Sequence, residues 1–255
     1  MSANVDRLLQ EYRQNGFVVV RQFLEAVALQ ELKDQLDRYI REVVPGLPAD
    51  NAFYHDRDRP ETLKQLNEMQ DDPFFDEIRC RSQWIDLATR LLGEQAVAKH
   101  PQWFNKPPGI DHPTPPHQDN YYFCLDPDAS ITLWLAIDPV NQQNGCLRYL
   151  PGSHRGGLRE HDASNVLGFS QGITDYGDEQ KEREEEIFCQ PGDLVVHHGE
   201  MIHRADPNRT ADQQRRAFAI VYRSESAKRD ETAYLKYQER LSQQHQQMGL
   251  KKVDT

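Results

Sequence analysis

The chain has 255 residues, only 37% of them hydrophobic, and a formal net charge of −11. That length suits one large domain able to bury a core, and the acidic balance excludes the basic surface that a nucleic-acid partner requires. No apolar run approaches the roughly 20 residues that cross a bilayer.

Residues 1–7 lack the basic start and apolar core of a secretory leader, and residues 251–255 are no peroxisomal address. Cys80, Cys124, Cys146 and Cys189 form no Cys-x-x-Cys pair and suit a reducing compartment. The expectation is a cytoplasmic protein acting on a small molecule, with no membrane or nucleic-acid partner; oligomeric state is not legible.

In chain order, Val5, Leu8, Leu9 and Tyr12 recur at helical spacing, and Phe17-Val18-Val19-Val20 after Gly16 is β-prone. Leu29, Leu32, Leu36, Ile40 and Val43 form one apolar helix face that ends near Pro45-Gly46. Residues 47–72 read as polar and irregular. Trp84, Leu87, Ala88 and Leu91 predict a helix closed by Gly93. From about 96 the pattern becomes short β-rich runs: 96–105, 131–137, 147–150, 186–189, 194–197 and 217–222. Turn signals such as Asn144-Gly145 and Pro191-Gly192-Asp193 separate them. A final helix is expected over 231–247. The acidic run 178–186 reads as a solvated segment. The whole reads as a single domain over 1–255. Its 1–95 part is mainly helical, its 96–222 part is a β core with a long insertion at 155–185, and its 223–255 part carries the last helix. The fold class is mainly β with flanking helices, a barrel or sandwich.

The chemistry concentrates in His117-Gln118-Asp119. In an extended segment residues i and i+2 share a side, so one strand end presents an imidazole and a carboxylate together. A second histidine from elsewhere completes a 2-His-1-carboxylate site with open positions, a donor set that suits Fe(II); the absence of a nearby thiolate disfavours structural zinc. His197, His198 and His203 compete for the last place. Arg215 and Arg216 follow His203 by 12 and 13 residues. A hairpin through Pro207-Asn208 would bring an arginine back beside the metal, where guanidinium could grip the distal carboxylate of a 2-oxoacid. This favours His203. His112, His154 and His161 read as loop residues or as groups behind the ligands.

Phe104-Asn105-Lys106-Pro107-Pro108, His117-Gln118-Asp119, Asn144-Gly145-Cys146-Leu147, Leu150-Pro151-Gly152-Ser153-His154, His203, and Asn208-Arg209-Thr210 before Arg215-Arg216-Ala217 occur in this order. Together, over residues 97–222, they resemble the phytanoyl-CoA dioxygenase family. The resemblance implies a double-stranded β-helix (jelly-roll, cupin-like) core. It implies Fe(II) on His117, Asp119 and His203, with 2-oxoglutarate as cosubstrate beside O2. By the family's Asn-x-Thr…Arg-basic-Ala pattern, Arg215 binds the distal carboxylate and Arg216 faces away. Trp134 resembles a cosubstrate-contacting tryptophan, and Thr132 shares its face. Gln102 stands where the family often has a methionine, and Lys64 is near the family's N-terminal lysine. The implied reaction is hydroxylation of an unactivated C–H bond with release of succinate and CO2. Related halogenases lack the carboxylate ligand, so Asp119 favours hydroxylation.

Two other classes compete: a non-catalytic jelly roll that binds metal or 2-oxoglutarate, and a cupin-like metal enzyme without 2-oxoglutarate. The acidic chain favours a small metabolite over a CoA ester. Tyr121-Tyr122-Phe123 offers an aromatic wall, and the insertion 155–185 a lid.

Overall fold

Short strands with one face toward each of two layers build the core. The computed structural model describes residues 2–48, 51–166 and 169–247. Its larger sheet has seven antiparallel strands, in spatial order Phe17–Val20, Leu194–His198, Ser130–Ala136, Arg215–Ser224, Ala96–Lys106, Leu63–Leu66 and Ala52–Tyr54. The smaller has four, in the order Glu185–Ile187, Leu147–Tyr149, His203–Ala205 and Thr114–His117. One buried cluster joins Trp134, Val195, Ala217 and Ala219 of the first sheet to Leu147, Tyr149, Ile187 and Ala205 of the second. The two sheets therefore pack face to face as a jelly roll, as expected.

Period-2 alternation explains which residues reach the interior. Along Ser130–Ala136 every residue is buried. Ile131, Leu133 and Leu135 join the helical layer outside, while Trp134 and Ala136 join the inter-sheet cluster. Along Leu194–His198, Leu194 and Val196 belong to the outer cluster and Val195 to the inner one, which turns His197 inward and His198 outward.

The helices cover the outer face of the large sheet. Ala26–Glu42 buries Leu29, Leu32, Leu36 and Tyr39, and Ile40 and Val43 pack, half-buried, against the same cluster, so the predicted apolar face holds. Leu32 is fully buried, and truncating it to alanine would cost about 2–5 kcal/mol. Ser82–Leu92 buries Trp84, Ala88 and Leu91 and ends on Gly93 in the left-handed region, φ 75°. Between them Pro73–Cys80 starts on Asp72, whose carboxylate accepts from the Phe74 N–H.

The predicted turn at Pro191-Gly192-Asp193 clamps the strand that carries His197. Gly192 has φ +90°, and a Cβ there would run into the Leu24 carbonyl oxygen. The Asp193 carboxylate accepts from Gln22 N at 2.9 Å, Gln190 N at 2.9 Å and Arg21 Nη1 at 2.7 Å.

Two expectations change. Residues 47–72 are not merely irregular: Ala52–Tyr54 and Leu63–Leu66 extend the large sheet. The segment 155–185 contains an antiparallel pair, His161–Val166 with Phe169–Ile173, and a short helix Asp178–Glu182. The final helix is Glu231–Gln247, as predicted. Among the described residues no helix is long and apolar enough to cross a membrane.

Candidate metal centre and active site

Strand register brings the two distant histidines together. His203 and His117 are direct partners across Thr114–His117 and His203–Ala205, with ring centroids 4.2 Å apart. Asp119 differs from the expectation of an extended His-x-Asp segment. The strand ends at His117, and Asp119 has helical dihedrals, φ −61° and ψ −37°, at the start of the short helix Asn120–Phe123. The turn still aims its carboxylate at the histidines: Oδ1 lies 3.5 Å from His117 Nε2 and 3.7 Å from His203 Nε2. One ligand atom from each residue falls within 4.8 Å of the others, a geometry that can hold one metal ion.

Hydrogen bonds leave both imidazoles ready to ligate. His117 Nδ1 lies 2.8 Å from the Pro115 carbonyl and His203 Nδ1 2.9 Å from the Met201 carbonyl. A carbonyl only accepts, so Nδ1 carries the proton and Nε2 keeps its lone pair. Burial, with His117 and His197 beside it, holds the His203 imidazole well below its ordinary range and therefore neutral. Burial alone would raise the Asp119 carboxyl; the surrounding imidazoles, His203 foremost, outweigh it and keep Asp119 ionised.

The second oxygen of Asp119 is held from the opposite side. Oδ2 accepts from Thr132 Oγ1 at 2.6 Å and lies 3.1 Å from His197 Nε2, while His197 Nδ1 lies 2.9 Å from the Tyr149 hydroxyl. The carboxylate only accepts, so His197 donates from Nε2 and accepts from the Tyr149 hydroxyl at Nδ1. His197 thus supports Asp119 from behind. His198 on the outer face lies against His154 and Tyr12. Gln118 is fully buried and pins the insertion to this strand. Its amide donates to the Gly157 and Glu200 carbonyls at 3.0 and 2.8 Å and accepts from Arg159 N at 2.7 Å.

The three metal-competent residues open onto a cavity of about 280 Å³ that also reaches Gln102, Thr132, Trp134 and Arg215. Arg215 is only 4% exposed, its Nε has no partner, and its guanidinium carbon sits 5.5 Å from the Trp134 ring centroid. Burial lowers it to about 10, so it remains a cation. Arg216 points the other way, its Nε and Nη2 each 2.9 Å from the Asp138 carboxylate. Gln102 lines the cavity but its amide donates to Asn67 at 3.2 Å. Thr132 spends its proton on Asp119. Of the predicted aromatic wall, Tyr122 and Phe123 line the cavity, whereas Tyr121 stacks on His161 at 4.1 Å. Lys64 also lines it, lowered by burial to about 8.

Sequence reasoning missed Tyr149, the support given by His197, and Tyr237 on the last helix, which lines the cavity. Alternation from the buried Val195 was the one signal for His197; nothing local marks the other two.

A family model described as Phytanoyl-CoA dioxygenase (PhyH) matches residues 12–217. The peroxisomal phytanoyl-CoA dioxygenase of Homo sapiens is 28% identical over 213 residues, which cover 78% of this chain and 62% of that protein. The chain thus spans less than two thirds of that relative. A probable alpha-ketoglutarate-dependent hypophosphite dioxygenase of Stutzerimonas stutzeri is 27% identical, covering 81% of this chain and 74% of that protein. Among solved structures, EvdO2 of Micromonospora carbonacea var. aurantiaca complexed with 2-oxoglutarate superposes with a TM-score of 0.69 at 27% identity, covering 88% of this chain and 91% of that one. The nogalamycin-biosynthesis epimerase SnoN, in complex with Fe3+, alpha ketoglutarate and nogalamycin RO, has the same fold, with a TM-score of 0.72 at 21% identity over 89% of this chain and 86% of that one. With fold, motif order and a family match over most of its length in agreement, the chain belongs to the phytanoyl-CoA dioxygenase family.

Proposed function

We propose that the protein is an Fe(II)- and 2-oxoglutarate-dependent dioxygenase that hydroxylates an unactivated C–H bond of a small organic substrate, releasing succinate and CO2. The observation that carries this reading is Arg215: a buried guanidinium with an unpartnered Nε, in the same cavity as His117, Asp119 and His203. Burying a cation without an anion is costly, and the distal carboxylate of a dicarboxylate supplies that anion. A cupin-like enzyme without 2-oxoglutarate, or a jelly roll that binds metal alone, has no use for this arginine; a non-catalytic 2-oxoglutarate binder would keep it and is separated by turnover.

When bound, the iron and 2-oxoglutarate supply the oxidative chemistry. His117, Asp119 and His203 offer one ligand atom each and leave the remaining positions of a facial triad open. Asp119 also distinguishes hydroxylation from halogenation, because a carboxylate fills the place a halide would take. Arg215, beside Trp134, would hold the cosubstrate's distal carboxylate. Tyr122, Phe123 and Tyr237 form the wall against which a substrate would be held, near the ligands and away from water.

The test is succinate formation from 2-oxoglutarate. It should depend on added Fe(II) and disappear in His117→Ala. Tight Fe(II) binding with no succinate, across a broad substrate panel, would favour the non-catalytic alternative.

A further inference from the structure

The cavity is basic inside an acidic protein. Lys64, Lys106 and Arg215 line it with His55 and His112, and Asp119 is the only carboxylate among its described lining residues. Arg204 also reaches the wall, but Glu184 holds it through two bonds of 2.7 Å and Asp206 through a third of 2.7 Å.

Two of these basic groups face each other. Lys106 and Arg215 are direct cross-strand partners, 7% and 4% exposed. Burial first, then Arg215 beside it, hold the Lys106 amine well below its ordinary range, while Arg215 keeps its charge. The Lys106 Nζ donates to the His112 carbonyl at 2.9 Å. Among the described residues no carboxylate makes an ion pair with Arg215.

Metal and cosubstrate do not remove this excess. Fe(II) brings two positive charges and 2-oxoglutarate two negative ones; these cancel and leave Lys64 and Arg215 against the single Asp119 carboxylate of the lining. The His55 and His112 rings, both in the cavity wall, lie 5.0 Å apart. Burial first, then Lys64, His112 and Lys106, push the His55 imidazole down to about 4. A neutral imidazole there still offers an N–H donor. Phe104, Tyr122, Phe123 and Tyr237 supply an apolar wall beyond.

We propose that the substrate is a small organic anion whose compact oxyanion, a carboxylate or phosphonate, is bound by the N–H edges of His55 and His112 while its apolar body lies against the aromatic wall. This rests on the dioxygenase reading above. The cavity, about 280 Å³, is just under the roughly 300 Å³ at which ligand pockets begin and is shared with 2-oxoglutarate, so it suits a small substrate; a nucleotide-bearing thioester would leave most of its bulk outside.

The experiment uses the full chain loaded with Mn(II) and 2-oxoglutarate without oxygen. Calorimetry first measures both loadings, and their failure would sink the dioxygenase reading rather than this one. A panel of matched acids and amides, starting with hexanoate and hexanamide, phenylacetate and phenylacetamide, with amines of the same skeletons, is then screened by thermal shift and titrated. Anions should dominate the stabilising compounds, and the best acid should bind at least about tenfold tighter than its amide, as expected for charge-assisted bonds. The pair His55→Leu and His112→Leu should erase that preference and leave 2-oxoglutarate affinity within about twofold, whereas His55→Gln with His112→Gln, which keep N–H donors, should retain most of it. No stabilising anion, amides equal to acids, or a preference that survives the leucine pair would overturn the proposal.

Discussion

The inner histidine His197 grips Asp119 by the oxygen that faces away from the two metal-competent imidazoles, 3.1 Å from Nε2 to Oδ2. With Thr132 on the same oxygen at 2.6 Å, Oδ2 is occupied and Oδ1 alone is turned toward His117 and His203. The carboxylate is thereby set to bind through one oxygen, which keeps coordination positions open. Groups that orient metal ligands in this way typically change metal affinity 10- to 100-fold when removed. His197→Phe should therefore weaken Fe(II) binding by about tenfold or more, measured anaerobically against a chromophoric chelator. His197→Gln, which keeps a donor, should recover part of the loss. Equal affinities in wild type and His197→Phe would refute the role.

Arg215 and Arg216 are neighbours with opposite fates, and this separates binding from stability. Arg215→Leu removes the buried cation beside Trp134 and should raise the dissociation constant for 2-oxoglutarate about a hundredfold, the loss expected for two charge-assisted bonds. Arg216→Leu breaks the bonds to Asp138, each 2.9 Å, and leaves that mostly buried carboxylate without them. It should lower stability by about 1–3 kcal/mol while changing 2-oxoglutarate affinity less than about twofold. Calorimetric titration and denaturant unfolding of both variants give the answer; reversed effects would exchange the two assignments.

How much of this was legible in the sequence follows from what each signal depends on. Leu29, Leu32 and Leu36 announced their helix because a 3.6-residue period is local. The strand Thr114–His117 was hidden: Pro115 and Pro116 erase the usual strand pattern, and prolines are tolerated there because this is an edge strand. Leu63–Leu66 is too short to show alternation. His117, Asp119 and His203 were legible as residue types at telling positions. The support from Tyr149 through His197 was not, because it joins residues 48 positions apart that meet only when the sheets close. The choice between Arg215 and Arg216 needed the strand's inner face, which the position of Asp138 reveals.

The last helix closes one side of the cavity. Tyr237 lines it and meets the Tyr122 ring edge-on at 5.9 Å, while Arg240 donates to the Tyr121 hydroxyl at 2.7 Å. A wall built this way excludes water from the site. Tyr237→Ala should raise substrate-independent succinate formation several-fold with metal and 2-oxoglutarate affinities unchanged. Unaltered uncoupled turnover would show that the helix is packing alone.

Asp128 gives the fold a pH dependence apart from the metal ligands. Neither of its oxygens meets an N–H or O–H donor, and burial, then the neighbouring Glu200 carboxylate, lifts it to about 8. Its folded value stands above the unfolded one near 4, so the folded state favours the protonated form. The stability this group contributes is whole below about pH 4 and is lost as pH rises toward 8. Wild-type unfolding free energy should fall by a few kcal/mol across that window at no more than about 1.4 kcal/mol per pH unit from this group. Asp128→Asn cannot ionise and its amide can donate to Glu200, so the variant should be the more stable at pH 8.5 and lose much of the slope. Urea unfolding at pH 5, 7 and 8.5 decides it: parallel curves for wild type and variant would mean that Asp128 is ionised throughout.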